Sequence, residues 1–229
     1  MGAAKSGSFT TTAKPAGIEP GASAAENTRT IQDAIDAASP GETVTLGEGT
    51  FKIDSQLMVT NGVILAGQGW DKTIIEQTVT GSGSDGAGGY GRCATVDGEA
   101  KLVGMTLTGG NIATKWTHGA GVYLENGTIS WCRISGNKLT LNNCYGGGVC
   151  AVKGTIDHTV ITDNTVSGAT SGGGANLRMC MDEGGVLEYT VSGDFYQIIT
   201  DGTGTRQHIV IDAGCTLSSS NPSSVFAHG

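Results

Sequence analysis

The sequence predicts a parallel β-solenoid, and three observations carry that prediction. First, the chain can be laid over itself at a fixed step. Leu102-Val103-Gly104-Met105-Thr106-Leu107-Thr108-Gly109, Ile129-Ser130-Trp131-Cys132-Arg133-Ile134-Ser135-Gly136 and Ile156-Asp157-His158-Thr159-Val160-Ile161-Thr162-Asp163 set their apolar anchors 27 residues apart, at 102, 129 and 156 and again at 107, 134 and 161. A fourth copy, Val186-Leu187-Glu188-Tyr189-Thr190-Val191-Ser192-Gly193, aligns at a step of 30. Second, matching glycine corners stand between the copies: Gly119-Ala120-Gly121-Val122, Gly146-Gly147-Gly148-Val149 and Gly172-Gly173-Gly174-Ala175. Third, the runs between corners are short and β-rich, so each unit is a coil of strands and not a pair of helices. Self-similarity at such a period means units that stack to bury a common core.

The elements follow in order. Residues 1–27 are small and polar, with no apolar run of the kind a signal peptide carries, and read as a flexible arm. A helix is expected over 30–38: Thr30-Ile31-Gln32-Asp33 has capping-box character, Ile31, Ala34, Ile35 and Ala38 keep the helical period, and Pro40-Gly41 ends it. Too short to bury its face alone, it is expected to cover the open end of the first coil. Strands are expected at 43–46, 50–53, 57–59, 63–66 and 73–77, with a loop thrown out of the stack at 80–91 and repeats from 101 to 200. A last strand is placed at 208–213 and a polar tail at 215–229, so the β-helix spans 28–214. No second amphipathic segment covers the C-terminal end, which leads us to expect a longer parent chain or coverage by another chain.

Composition narrows the function classes. With 39 glycines but no Gly-X-Y phase the chain is not collagen-like. A hydrophobic share of 38% is small for a globular core and sufficient for a narrow stack of Val, Ile, Leu, Cys and Thr. The net charge of −8 without a basic cluster argues against nucleic acid and anionic membranes as partners, and no apolar run reaches spanning length. The six cysteines include no C-x-x-C pair, which speaks against structural zinc. Cys132 alternates with Ile134 and reads as a buried filler; Cys144 and Cys150 flank a corner and leave a disulfide open.

The start of the repeat region resembles a known superfamily. Thr30-Ile31-Gln32-Asp33-Ala34-Ile35 leading into Pro40-Gly41-Glu42-Thr43-Val44, then Gly67-Gln68-Gly69-Trp70-Asp71-Lys72-Thr73-Ile74-Ile75, is similar to the opening of pectate-lyase-like right-handed parallel β-helices. The later repeats resemble those of bacterial surface and adhesin-like β-helix proteins, including polymorphic outer-membrane protein passengers. The resemblance implies an all-β, right-handed parallel β-helix of about seven coils with an N-terminal capping α-helix. It implies no single activity, because that superfamily holds lyases, hydrolases, esterases, tailspikes and non-catalytic adhesins.

Candidate sites follow from chemistry. Gly81-Ser82-Gly83-Ser84-Asp85-Gly86 matches G-x-G-x-x-G, but the glycines after it cannot form the helix that a dinucleotide needs. A polysaccharide lyase needs a base and a neutralised carboxylate, often through Ca²⁺ on aspartates, and the candidates are Asp157, His158, Asp163, Arg178, Asp182 and Glu183. No row of carboxylates repeats at the 27-residue register, and no Lys or Arg lies in register with one, so solvated surface charge is the favoured reading of these residues. A row of Gly104, Trp131, His158 and Glu188, with Arg133 two residues beyond the indole and Trp116 and His118 nearby, offers a sugar platform if it faces outward, while the favoured reading is an ordinary, partly buried tryptophan packed on the next coil. Gly110, Asn137, Asn164 and Asp194 share another register and read as a structural amide ladder. Asn126-Gly127-Thr128 fits a glycosylation acceptor. The functional expectation is a non-catalytic extracellular or cell-surface module, adhesive or scaffold-like, that takes a polysaccharide or cell-surface glycan and needs no cofactor. The alternatives are a polysaccharide lyase or other carbohydrate-active enzyme, which would call for Ca²⁺, and a self-assembling fibre subunit.

Overall fold

The computed structural model describes residues 17–81, 91–113, 117–140, 146–152 and 154–166, and three strand segments beyond them. They form stacked parallel coils behind one helix. Helix α1 (Ala24–Ala37) precedes a first coil of β1 (Thr43–Thr45), β2 (Gly49–Ile53) and β3 (Leu57–Val59). The second coil is β4 (Ile64–Ala66), β5 (Thr73–Gln77), β6 (Thr80–Gly81) and β7 (Ala94–Val96). The third is β8 (Ala100–Val103), β9 (Thr106–Thr108), β10 (Asn111–Ile112) and β11 (Val122–Leu124). The fourth is β12 (Gly127–Ser130), β13 (Arg133–Ser135), β14 (Lys138–Leu139) and β15 (Val149–Ala151). The fifth is β16 (Gly154–Asp157), β17 (Val160–Thr162), β18 (Thr165–Val166) and β19 (Leu177–Met179); β20 (Tyr189–Val191) and β21 (Thr216–Leu217) begin a sixth.

Stacking gives four walls. The first wall runs β1-β4-β8-β12-β16-β20, the second β2-β5-β9-β13-β17-β21, a short third β6-β10-β14-β18, and the fourth β3-β7-β11-β15-β19. All pairings are parallel, and the 27-residue step is the inter-coil register: Leu102 faces Ile129, which faces Ile156, and Leu107 faces Ile134, which faces Ile161. Inward rows such as Phe51, Ile75, Leu107, Ile134 and Ile161 are wholly buried, each contributing roughly 1.5–3 kcal/mol of hydrophobic stabilisation.

The helix covers the first coil, as expected, and does so with backbone mimicry. Gln32 accepts from Met58 N at 2.8 Å and donates to Met58 O at 3.2 Å, which satisfies the edge of β3 as a strand would. The Asn27 amide donates to Lys52 O on β2, and Ile18 lies against Leu46, with its N–H on Thr45 O. Exposed strand edges are thereby closed at this end. Ile31 and Ile35 supply the buried stripe.

Six expectations are corrected. The helix starts at Ala24, capped by Ser23 whose hydroxyl accepts from Glu26 N, and not at Thr30. Its first turns carry Glu26, Asn27 and Thr28, so apolar periodicity could not reveal them, and residues 17–27 belong to the cap and not to a flexible arm. Thr80–Gly81 is a strand that pairs with Asn111–Ile112, so the 80–91 loop begins later. In the fourth repeat Val191 faces Ile156 and Tyr189 faces Gly154, a step of 35 and not 30. Valines at both 186 and 191 fit the anchor pattern, and only pairing distinguishes them. Thr216–Leu217 then faces Val160–Ile161, which removes those residues from the tail. The lengthened last turn leaves six coils entered among the described residues instead of about seven. Residues 208–213 lie outside them.

Candidate functional site

The site is built on the corner between the first and second walls. Gly104, Trp131 and His158 occupy equivalent places on successive coils, with φ of 67°, 55° and 43°. Gly104 N donates to Ser130 O and Trp131 N to Asp157 O, so the corner itself carries the inter-coil ladder. This left-handed residue lets two consecutive side chains face outward before Met105, Cys132 and Thr159 turn back into the core. For a tryptophan the conformation costs about 1–2 kcal/mol, a local strain that marks a position worth explaining.

Trp131 is 53% exposed although its indole stacks on the His158 imidazole, with centroids 4.2 Å apart and planes 12° from parallel. The corner also brings neighbours in sequence side by side: Asp157 Oδ1 lies 2.6 Å from His158 Nδ1. The contact is off the hydrogen-bond line, and Nδ1 is closed to solvent without an aligned partner. Arg133 is exposed on the outer face of β13, two residues past the indole, and its side chain makes no hydrogen bond or ion pair with the described residues. Trp131, His158 and Asp157 therefore form one outward cluster, an aromatic stack with a carboxylate at the imidazole, and Arg133 is exposed on the adjoining strand.

The remaining candidates do not join it. Asp163 sits at the next corner, with φ of 55°, in the row of Gly109 and Gly136. Arg178 lies on β19 in the fourth wall, facing Cys150, and its side chain is outside the described residues. Trp116, Asp182, Glu183, Glu188 and Asp194 also lie outside them. The β20 register places position 188 before the residue facing Gly154, so it is not in the row of His158. Among the described residues no three His, Cys, Asp or Glu side chains gather to hold a metal ion.

Two buried polar constellations complete the picture. Asn137 and Asn164 form the amide ladder: Asn137 Oδ1 accepts from Gly110 N at 2.8 Å, and Asn164 Oδ1 accepts from Asn137 N and Nδ2 at 3.0 and 2.9 Å. Arg92 escaped the sequence reading. Its guanidinium is buried on the fourth wall, with bonds to His118 O, Gly119 O, Gln56 and Thr95, and lies over the Tyr123 ring at 5.2 Å. Burial lowers its pKa to about 10, so it stays charged at neutral pH. It clips three coils together. The only sequence signal was an isolated cation between Gly91 and Cys93.

The fold and site define the molecule's class: a parallel β-helix with a closed N-terminal end and an aromatic corner on its surface. Among solved structures the chain is similar to a mutant pectin methylesterase in complex with a hexasaccharide, at 14% identity over 85% of this chain and 75% of that one, with a TM-score of 0.37. No protein-family model matches the chain, and no curated protein does.

Proposed function

We propose that this is a non-catalytic, extracellular or cell-surface β-helix module of the pectate-lyase-like kind that binds a glycan at the Trp131 corner. The carrying observation is the half-exposed indole held in a strained left-handed conformation and stacked on His158. A flat apolar face flanked by hydrogen-bonding groups suits a sugar ring. The lyase alternative wants a base beside carboxylates and a cation in one groove. Asp157 and His158 meet that in part, but the strand bearing Arg178 stands in another wall.

Soluble polysaccharides, neutral and acidic, with and without Ca²⁺, provide the test. Binding without turnover is expected, and Trp131→Ala is expected to weaken it about tenfold, the loss of a stacking contact near 1.4 kcal/mol. Release of unsaturated uronate or new reducing ends, abolished by His158→Ala, would replace the module with an enzyme.

A further inference from the structure

We propose that the Asp157–His158 pair gates the Trp131 platform by protonation: neutral His158 turns away a sugar that carries a carboxylate, and protonated His158 admits it. This rests on the glycan-binding reading and specifies which glycans the corner takes, and under what acidity.

The gate follows from which edge of the imidazole reaches water. Asp157 Oδ1 stands 2.6 Å from His158 Nδ1, too close for two lone pairs to face one another. Nδ1 therefore carries the ring proton while the imidazole is neutral. Nδ1 is closed to solvent and Nε2 is not, although the side chain as a whole is 34% exposed. Nε2 is thus the nitrogen that a ligand meets, and the one that takes the second proton. One face of the ring is covered by the indole, so Nε2 opens at the rim of the stack.

The second proton reverses the role of that nitrogen. Neutral Nε2 is an acceptor beside a carboxylate charge, which suits a sugar hydroxyl and repels a second carboxylate. Protonated Nε2 is a donor, and the Asp157 charge is balanced within the pair. A ligand carboxylate then gains a charge-assisted hydrogen bond. The imidazolium is also attracted to the negative face of the indole, so the platform stays assembled in both states.

The surroundings leave the gating to His158. Among the described residues β16 supplies Asp157, β13 supplies Arg133 and β8 supplies Lys101, while β9, β12 and β17 carry no charged side chain. Tyr189 on β20 lies opposite Gly154, and Asp163 belongs to the next corner row. Of these residue types only histidine ordinarily changes charge between about pH 5 and 8.

Calorimetric titration of the full chain at about pH 8 and pH 5 tests the gate, with hexagalacturonate as the acidic probe and cellohexaose as the neutral one. Hexagalacturonate is expected to bind at least about tenfold more tightly in acid, and cellohexaose to change less than about twofold. His158→Asn, which tolerates the left-handed corner, is expected to abolish that contrast with the Tm held within a few degrees. Asp157→Asn removes the charge and keeps the shape, and is expected to raise affinity for hexagalacturonate at the higher pH. In the ligand-free protein, indole fluorescence is expected to fall on acidification as the imidazolium forms against Trp131. That fall is expected to vanish in Trp131→Phe and in His158→Asn. Equal hexagalacturonate affinity at the two pH values, or a contrast that survives in His158→Asn, overturns the gate and leaves the glycan reading. Absence of the His158-dependent fluorescence step also overturns it, and unchanged affinity in Asp157→Asn overturns the part given to Asp157. Failure of both sugars to bind at either pH overturns the glycan reading and the gate with it.

Discussion

Asn137→Ala is expected to cost about 3 kcal/mol of stability, a large share of what a domain of this size holds. Asn137 is 1% exposed, and its amide serves two neighbouring coils at once. Its Oδ1 takes the Gly110 N–H, and its Nδ2 reaches Leu107 O at 3.2 Å and Asn164 Oδ1 at 2.9 Å. Alanine strands the Gly110 N–H away from water, removes the amide donor shared by Leu107 O and Asn164 Oδ1, and leaves a void. Each buried group without a partner costs about 1–3 kcal/mol. Urea denaturation checks this against Thr128→Ala, an outward residue of β12 expected to change stability by less than about 0.5 kcal/mol. Similar losses in both variants would refute a structural role for the ladder.

The second large effect is alkaline destabilisation through Cys93 and Cys132. Both side chains are fully buried, and burial raises each thiol from 9.0 to about 12. A raised folded-state pKa gives stability that is whole below the unfolded value and lost as pH climbs toward the folded one. The window is therefore pH 9 to about 12. Each thiol removes about 1.4 kcal/mol per pH unit there, so by pH 11 the two together remove on the order of 5 kcal/mol. Urea midpoints measured from pH 7 to 11 should fall steeply for the native chain and much less for the Cys93→Ala/Cys132→Ala double variant. Parallel slopes would show that these thiols do not govern the loss. Alkylating reagents are likewise expected to reach both only after unfolding.

The comparison of expectation with structure turns on a few residues. The anchors at 102, 129 and 156 were readable because a parallel stack puts equivalent apolar residues directly over one another. The amide register at 137 and 164 was readable for the same reason. The two-residue strands of the third wall were not, since Asn111–Ile112 and Lys138–Leu139 are too short to show a period. Sequence placed Val186 over Ile156 because two valines five residues apart fit equally; hydrogen bonding chose Val191.

The site divides in the same way. A repeating 27-residue pattern was enough to set Gly104, Trp131 and His158 in one row, because register in a solenoid is an arithmetic property of the chain. Strict alternation, however, sends Asp157 and His158 to opposite faces. A left-handed residue at the corner breaks that alternation and brings Asp157 Oδ1 within 2.6 Å of His158 Nδ1. Whether the rings stack is likewise a matter of the coil spacing and the corner's backbone angles, which no local pattern encodes. Sequence alone thus determined the solenoid, its 27-residue period over the middle coils, three members of the surface row and the capping role of the helix. Tertiary structure alone decided which neighbours meet, because the close approach of side chains depends on dihedral angles at a few corner residues and on contacts between coils.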